Sequence, residues 1–278
     1  MFYKSYADLV RDIKLKIVEL PPICAVYGIP RSGVPIASII ALHLNCQLIL
    51  DLQQLPTKPW LIEGSGAGRT IPPREGRVLI VDDTVCNGHK IIEVKNQLPP
   101  GDYCFFAYTI GKDAQKYVDH YCHQDNHNEH LFEWCIFHHL LNGELLSDLD
   151  GVFCPNWPHG YEEDDKEQEY LQFLENAPCL LRPTMGVRGI VTARLHKHRT
   201  VTEMWLEKNG IKCNELIMCD ANSPLERDSN DMGTKLKIET YRNSSARIFV
   251  ESEPGHSMVI AAQTHKPVLS WREQILYS

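Results

Sequence analysis

Two acid pairs stand out by what surrounds them. Asp82 and Asp83 close the apolar run Val78–Val81, and Asp148 and Asp150 follow Leu145 and Leu146 in SDLDGVFC. Carboxylates at the end of a buried strand cost desolvation unless something offsets or uses them. Behind the first pair come Thr84, Cys86, Asn87, Gly88 and His89, a small, donor-rich turn. Such a turn at the start of a helix cradles a phosphate with its backbone N–H groups. The adjacent acids cannot hold a bare phosphate, but they accept hydrogen bonds from sugar hydroxyls, so the combination suits a sugar phosphate. The second pair is spaced by two across a strand end, which lets both side chains enter one site. One ionised acid there can attack phosphorus, and the other can exchange a proton with the leaving group.

These positions need strands that end where loops and helix N-termini meet, as at the carboxyl ends of parallel sheets. The pattern supplies them. A helix is expected over about 5–18, a strand in PICAVYGI, a turn at PRSG, a helix in VPIASIIALHL and a strand in QLILDL. VLIVDD reads as a strand, GHKIIEVKNQL as a helix and DYCFFAYTIG as a strand. The second half continues the alternation. ELLSDLDGVF, MGVRGIVTAR, NELIMCD and ARIFVESE read as strands, KHRTVTEMWLEKNG, TKLKIETYRNSS and SMVIAAQTH as helices, and PVLSW as a last edge strand. The acidic run YEEDDKEQEYLQFLENA reads as a solvated helix face. Apolar strands alternating with helices predict α/β architecture in two domains, 1–143 and 144–278, each a mostly parallel sheet flanked by helices.

Composition narrows the class. The 278 residues are 43% hydrophobic and 23% charged, as in a globular protein, and the net charge of -8 argues against nucleic acid as the main partner. No apolar run is long enough to span a bilayer, and the start reads as an amphipathic helix rather than a signal peptide. The ten cysteines are scattered, with no CxxC pair, and several lie in apolar stretches; this reads as a reduced, cytoplasmic protein. The densest Cys/His region carries Cys122, His123, His127, His130, Cys135, His138 and His139. Its spacings match no usual zinc module, and it reads as a polar loop followed by an aromatic-rich strand or tail.

VLIVDDTVCNGHK resembles the phosphoribosyl pyrophosphate (PRPP) motif of the type I phosphoribosyltransferases, of which orotate phosphoribosyltransferase is an example. The strand, both acids, Thr84 and Gly88 match, whereas Asn87 and His89 stand where that family usually has hydroxyl residues. The resemblance implies PRPP binding by Asp82, Asp83, Thr84, Cys86, Asn87, Gly88 and His89. It places Arg31, Ser32 and Gly33 of GIPRSGVP in a pyrophosphate loop. It makes the Pro/Gly-rich segment with Lys58, GSGAGR and Arg74 a mobile catalytic loop, with Arg69 on the leaving group and Lys58 behind it. The implied reaction is Mg²⁺-dependent displacement of pyrophosphate from C1 of PRPP by a base-like acceptor.

SDLDGVFC resembles motif I of the haloacid dehalogenase superfamily. That resemblance implies Asp148 as nucleophile, Asp150 as acid–base and a Rossmann-like fold. Thr192 of GIVTAR is placed as the motif II hydroxyl, with Arg194 and Arg199 as nearby positive groups. Lys237 is placed as the motif III lysine, with Lys235 as its rival. Glu251 and Glu253 of IFVESE stand where the superfamily holds Mg²⁺ together with Asp148 and Asp150. The segments between these motifs are too short for a large cap domain.

Together the resemblances imply a bifunctional enzyme: phosphoribosyl transfer from PRPP to a base-like molecule, then hydrolysis of a phosphate monoester, the 5′-phosphate that transfer creates. A regulator that senses PRPP without transfer, fused to a phosphatase, is the alternative; a phosphatase whose first half only positions a nucleotide is a third. No membrane partner is implied, and a homo-oligomer is compatible.

Overall fold

Leu79, Ile80 and Val81 are all fully buried, so the strand that holds them must be covered on both faces. The computed structural model, which describes residues 2–55, 75–125, 129–138, 143–158 and 166–278, places this strand centrally in a parallel sheet. The chain divides into two compact units, Met1–Trp134 and Cys135–Ser278. The division precedes the expected 143/144 boundary because Ile136 and Phe137 are core residues, and the Phe137 ring packs edge-on against Phe153 and Trp271. Lys58, Arg69 and Arg74 lie outside the described residues, as do His127 and His139.

The first unit runs β1 (Phe2–Lys4), α1 (Tyr6–Lys16), β2 (Ile23–Gly28), α2 (Gly33–Leu44), β3 (Gln47–Ile49), β4 (Arg77–Val85), α3 (His89–Gln97), β5 (Tyr103–Gly111), β6 (His120–Asp125) and β7 (His130–Phe132). Helix α1 begins where Ser5 Oγ accepts the Asp8 N–H and Asp8 accepts the Ser5 N–H, a reciprocal cap. Leu9 and Ile13, four apart, form its buried stripe. The main sheet has the order β3-β2-β4-β5-β6, parallel throughout, and β1 pairs with β7 in a second parallel ladder. The sequence pattern predicts no strand for β1 or β6: β6 falls in the part of the Cys/His-rich region expected to loop, which pairs instead, whereas β7 lies in its aromatic-rich end, expected as a strand or tail. From β2 the chain goes one way to β3, and β4 opens the other side. The switch point therefore lies between β2 and β4, where a ligand crevice is expected.

The second unit runs β8 (Leu145–Ser147), α4 (Glu167–Asn176), β9 (Val187–Leu195), α5 (Arg199–Lys208), β10 (Cys213–Cys219), α6 (Pro224–Ser229), α7 (Met232–Asn243), β11 (Ile248–Glu251), α8 (Pro254–Thr264), β12 (Val268–Ser270) and β13 (Ile275–Tyr277). Its sheet order is β10-β9-β8-β11-β12-β13, parallel except for the last pair. The expected edge strand PVLSW is therefore not the edge: Ile275–Tyr277 covers it antiparallel. The switch point lies between β8 and β11. No helix among the described residues is long and apolar enough to cross a membrane.

Gly33 shows how tightly the first crevice is built. A Cβ there would lie 2.4 Å from the Val81 carbonyl oxygen and 3.3 Å from the Asp82 Cα. Gly33→Ala must push the turn off β4. A loss of about 1–3 kcal/mol is expected, read as a lower urea midpoint with an unchanged m-value.

Candidate functional site

In the first unit, two hydrogen bonds bring the turn after β2 to the end of β4. The Ile29 N–H donates to the Val81 carbonyl at 2.8 Å, and the Gly33 N–H donates to Ile29 at 2.9 Å. Arg31, exposed, and Ser32, half-buried, thereby stand at the carboxyl edge that carries Asp82. Asp82 is 9% exposed, and its Oδ1 accepts the Asp83 N–H at 2.9 Å. Burial, reinforced by the Asp83 charge, pushes the Asp82 carboxyl up to about 7. Asp83 Oδ2 accepts the indole N–H of Trp134 at 3.4 Å.

The loop beyond β4 leads directly into α3, with Gly88 as the N-cap in a left-handed conformation. Asn87 Oδ1 accepts the His89 N–H at 3.1 Å, so one backbone donor of the expected phosphate cradle already has a side-chain partner. Cys86, Asn87 and His89 are exposed. Thr84 Oγ1 lies 3.3 Å from His130 Nε2, and His130 Nδ1 lies 2.9 Å from Asp125 Oδ2. Sequence reading missed His130, Asp125 and Trp134 as site residues, since nothing local ties them to β4.

In the second unit, ionisable groups from four elements converge at the switch point. The Asp148 N–H donates to the Val250 carbonyl at 2.8 Å, which ties the end of β8 to β11. Lys237, one turn into α7, places Nζ 2.8 Å from Asp148 Oδ2 and 2.7 Å from Glu251 Oε2. All three side chains are buried. Ser252 Oγ donates to Asp148 Oδ2 at 3.1 Å, and the Leu149 N–H to Asp148 Oδ1 at 2.8 Å. Gly151 makes the turn: its φ is +78°, and a Cβ would lie 2.5 Å from the Ser252 Cβ.

Asp150 has a different partner. The Arg194 guanidinium, 2% exposed, binds it two-handed, Nε to Oδ2 at 2.9 Å and Nη2 to Oδ1 at 2.7 Å. Thr192 Oγ1 adds a bond to Oδ2 at 3.4 Å. Against the opposing effect of burial, Arg194 holds the Asp150 carboxyl below the usual carboxylate range. Arg194 therefore faces inward, where substrate contact was expected of it. Arg199 lies elsewhere, bonded to Glu203 and the Leu216 carbonyl. Lys235 bonds the Asn230 carbonyl on the exposed side of α7. Glu253 stands at the N-cap of α8, and Glu251 is the acid that reaches the cluster.

Three buried or half-buried carboxylates thus meet two cations, Lys237 and Arg194. The surplus falls on Asp148, which burial and the Glu251 charge push up to about 7 although Lys237 opposes them. All-oxygen donors with surplus negative charge suit a hard divalent cation. Among the described residues, however, no three His, Cys, Asp or Glu side chains converge as ligands. Beside the cluster, a cavity of about 190 Å³ is lined by Ala193, Arg227, Asp231, Thr234, Lys237 and His256. The buried Thr234 hydroxyl has no hydrogen-bond partner there.

No protein-family model matches the chain, and no curated protein matches it. Among solved structures, it is similar to a purine phosphoribosyltransferase from Pyrococcus horikoshii Ot3, at 18% identity over 48% of this chain and 92% of that one, with a TM-score of 0.35. It is similar to a Helicobacter pylori xanthine-guanine-hypoxanthine phosphoribosyltransferase, at 14% identity over 48% and 92%, with a TM-score of 0.34. An orotate phosphoribosyltransferase from Aeropyrum pernix matches at 17% identity over 43% and 71%, with a TM-score of 0.27.

The raised Asp82 carboxyl has a consequence for stability. Its folded value, about 7, lies above the ordinary 3.8, so the folded state holds the proton more tightly. That stabilisation is complete below the ordinary value and disappears as pH rises through the folded value. Asp82→Asn should therefore stabilise the first unit at pH 8 by on the order of 2 kcal/mol and gain little at pH 4. Urea unfolding at both pH values checks this, and an equal gain at both would contradict it.

Proposed function

We propose that the chain is a bifunctional enzyme, with a phosphoribosyltransferase in its first unit and a phosphomonoesterase in its second. The observation that carries this reading is that each acid pair lies at the switch point of its own parallel sheet, with the partners its chemistry requires. In the first unit the ribose diol of PRPP would hydrogen-bond to Asp82 and Asp83. Its 5-phosphate would lie on Cys86–His89, where β4 leads into α3, and its pyrophosphate on Arg31, Ser32 and Gly33. Mg²⁺ would arrive with the pyrophosphate and screen its charge as it leaves. Lys58 and Arg69 remain proposed cations for the same group.

In the second unit Asp148 is the proposed nucleophile. Lys237 offsets the charge that builds up as its oxygen closes on phosphorus, and Thr192 offers a hydroxyl to the phosphoryl group. Glu251 fixes Lys237 in place. Asp150, kept ionised by Arg194, is poised to accept a proton from the water that later attacks the aspartyl phosphate; to protonate a leaving alkoxide it must first loosen from Arg194 and take up a proton from solvent. Mg²⁺ is given no step here: among the described residues Asp148, Asp150 and Glu251 do not converge as a ligand set, and Lys237 and Arg194 supply the charge neutralisation. The cavity beside Lys237 gives the leaving group a polar seat. The 5′-phosphate made by transfer is a monoester of the class the second unit would consume.

The bond from Asn87 to the His89 N–H favours a second reading, in which PRPP binds without transfer and the first unit acts as a sensor. Incubation with PRPP, Mg²⁺ and a panel of bases, read by mass spectrometry, separates the two. Wild-type protein is expected to yield a riboside, and Asp148→Asn to stop at its 5′-phosphate. PRPP binding without pyrophosphate release would establish the sensor instead. Dephosphorylation by Asp148→Asn at the wild-type rate would remove Asp148 from the mechanism.

A further inference from the structure

The Thr84–His130–Asp125 line has no part in the functions assigned so far. Asp125 ends β6 and Thr84 lies near the end of β4, so both stand on the carboxyl edge that carries Asp82 and Asp83. Asp125 Oδ2 lies 2.9 Å from His130 Nδ1, so in the neutral ring Nδ1 carries the proton and Nε2 is an acceptor. The Thr84 hydroxyl, 3.3 Å from Nε2, then donates to the ring, and its own lone pairs stay available. Packing fixes the ring's orientation. Phe132 lies 4.9 Å from the His130 centroid and stacks on Trp134 at 4.5 Å and 19°, and Trp134 in turn donates to Asp83. The His130 and Asp125 side chains are 12% and 11% exposed, sheltered but open to one side.

We infer that Thr84, His130 and Asp125 form a proton relay for the acceptor of phosphoribosyl transfer, and that this acceptor attacks through a nitrogen that carries a proton. The inference rests on the transferase reading. As the acceptor nitrogen bonds to C1 of PRPP, the C1–O bond breaks and its electron pair leaves with pyrophosphate. The acceptor's proton passes to Thr84 Oγ1 while the Thr84 proton passes to His130 Nε2. Asp125 steadies the resulting imidazolium, which returns its proton to solvent. An alcohol made basic through a histidine oriented by an acid is a general device for activating weak nucleophiles.

Among the described residues, His130 faces Asp125 from β6, Thr84 from β4 and the apolar ring of Phe132, and Phe2 is its strand partner on β1. Asp82, Asp83 and Cys86 lie farther along the same edge. Burial and the Asp83 charge push the Asp82 carboxyl up to about 7, so a pH profile of the wild type alone would report that group as well.

The test therefore uses variants of the full chain. PRPP affinity is measured by calorimetry with Mg²⁺. Pyrophosphate release is followed with orotate, uracil, adenine, guanine, hypoxanthine and xanthine. His130→Ala is expected to lower kcat by about 10²-fold or more with PRPP affinity within about 3-fold of wild type, and Thr84→Val to lower kcat by at least as much. Added imidazole should recover part of the His130→Ala loss. Thr84→Ser should keep most of the rate, and Asp125→Asn should fall between. Full rates in His130→Ala or Thr84→Val, or a loss confined to PRPP affinity, would overturn the relay while leaving the transferase intact. A wild-type chain that binds no PRPP, or releases no pyrophosphate with any of these bases, overturns the relay and the transferase reading together.

Discussion

A carboxylate withdrawn from water must be met by a cation, by hydrogen-bond donors or by a proton. In the second unit the meeting is direct. Lys237 reaches from α7 to both Asp148 on the β8 end and Glu251 on β11, so one buried ammonium joins a helix to two strands. Arg194 does the same for Asp150 from β9. Removing either cation would leave a buried charge unpaired, which typically costs about 3–5 kcal/mol. The convergence of four elements thus depends on these two side chains as much as on the apolar core below them.

The first unit meets the same constraint differently. Among the described residues no cation contacts Asp82; its Oδ1 takes one backbone N–H, and burial leaves the group half protonated near neutral pH. Asp83 is held by an indole, a neutral donor. Here charge compensation is left open among the described residues. In the second unit compensation is built in, and it is incomplete by one charge, on the residue that would attack phosphorus. That difference is chemical: one pair meets only neutral donors among the described residues, whereas the other has its protonation states set apart by Lys237 and Arg194.

What the sequence revealed, and what it hid, follows from the range over which each signal acts. Strands β2, β4, β5 and β9 were readable because both their faces are apolar, and Asp82, Asp83, Asp148 and Asp150 were readable because they break that pattern at strand ends. Lys237 and Glu251 were placed by order along the chain. Strand β1 was hidden, because three residues carry no period and its pairing spans most of the unit, and β6 was hidden by its polar residues. The inward turn of Arg194 was hidden too: an arginine after a strand reads as a surface cation until Asp150 is seen across from it. His130 was counted among scattered histidines, and its neighbour Thr84 lies far from it in sequence; only the sheet brings them together.

Parallel topology explains why such groups meet at all. In each sheet the chain reverses direction once, between β2 and β4 and between β8 and β11, and the helices on either side of the reversal leave a gap between the first loops. Residues directly after the flanking strands must line that gap, whatever they are. At the first gap these are Arg31–Gly33 and Asp82–Thr84; at the second they are Asp148–Asp150 and Glu251–Ser252. Glycine closes each approach, Gly33 against the Val81 carbonyl and Gly151 against Ser252, because a single methyl group would hold the loops apart. The fold fixes where chemistry can occur, and the acids and their partners decide which chemistry it is.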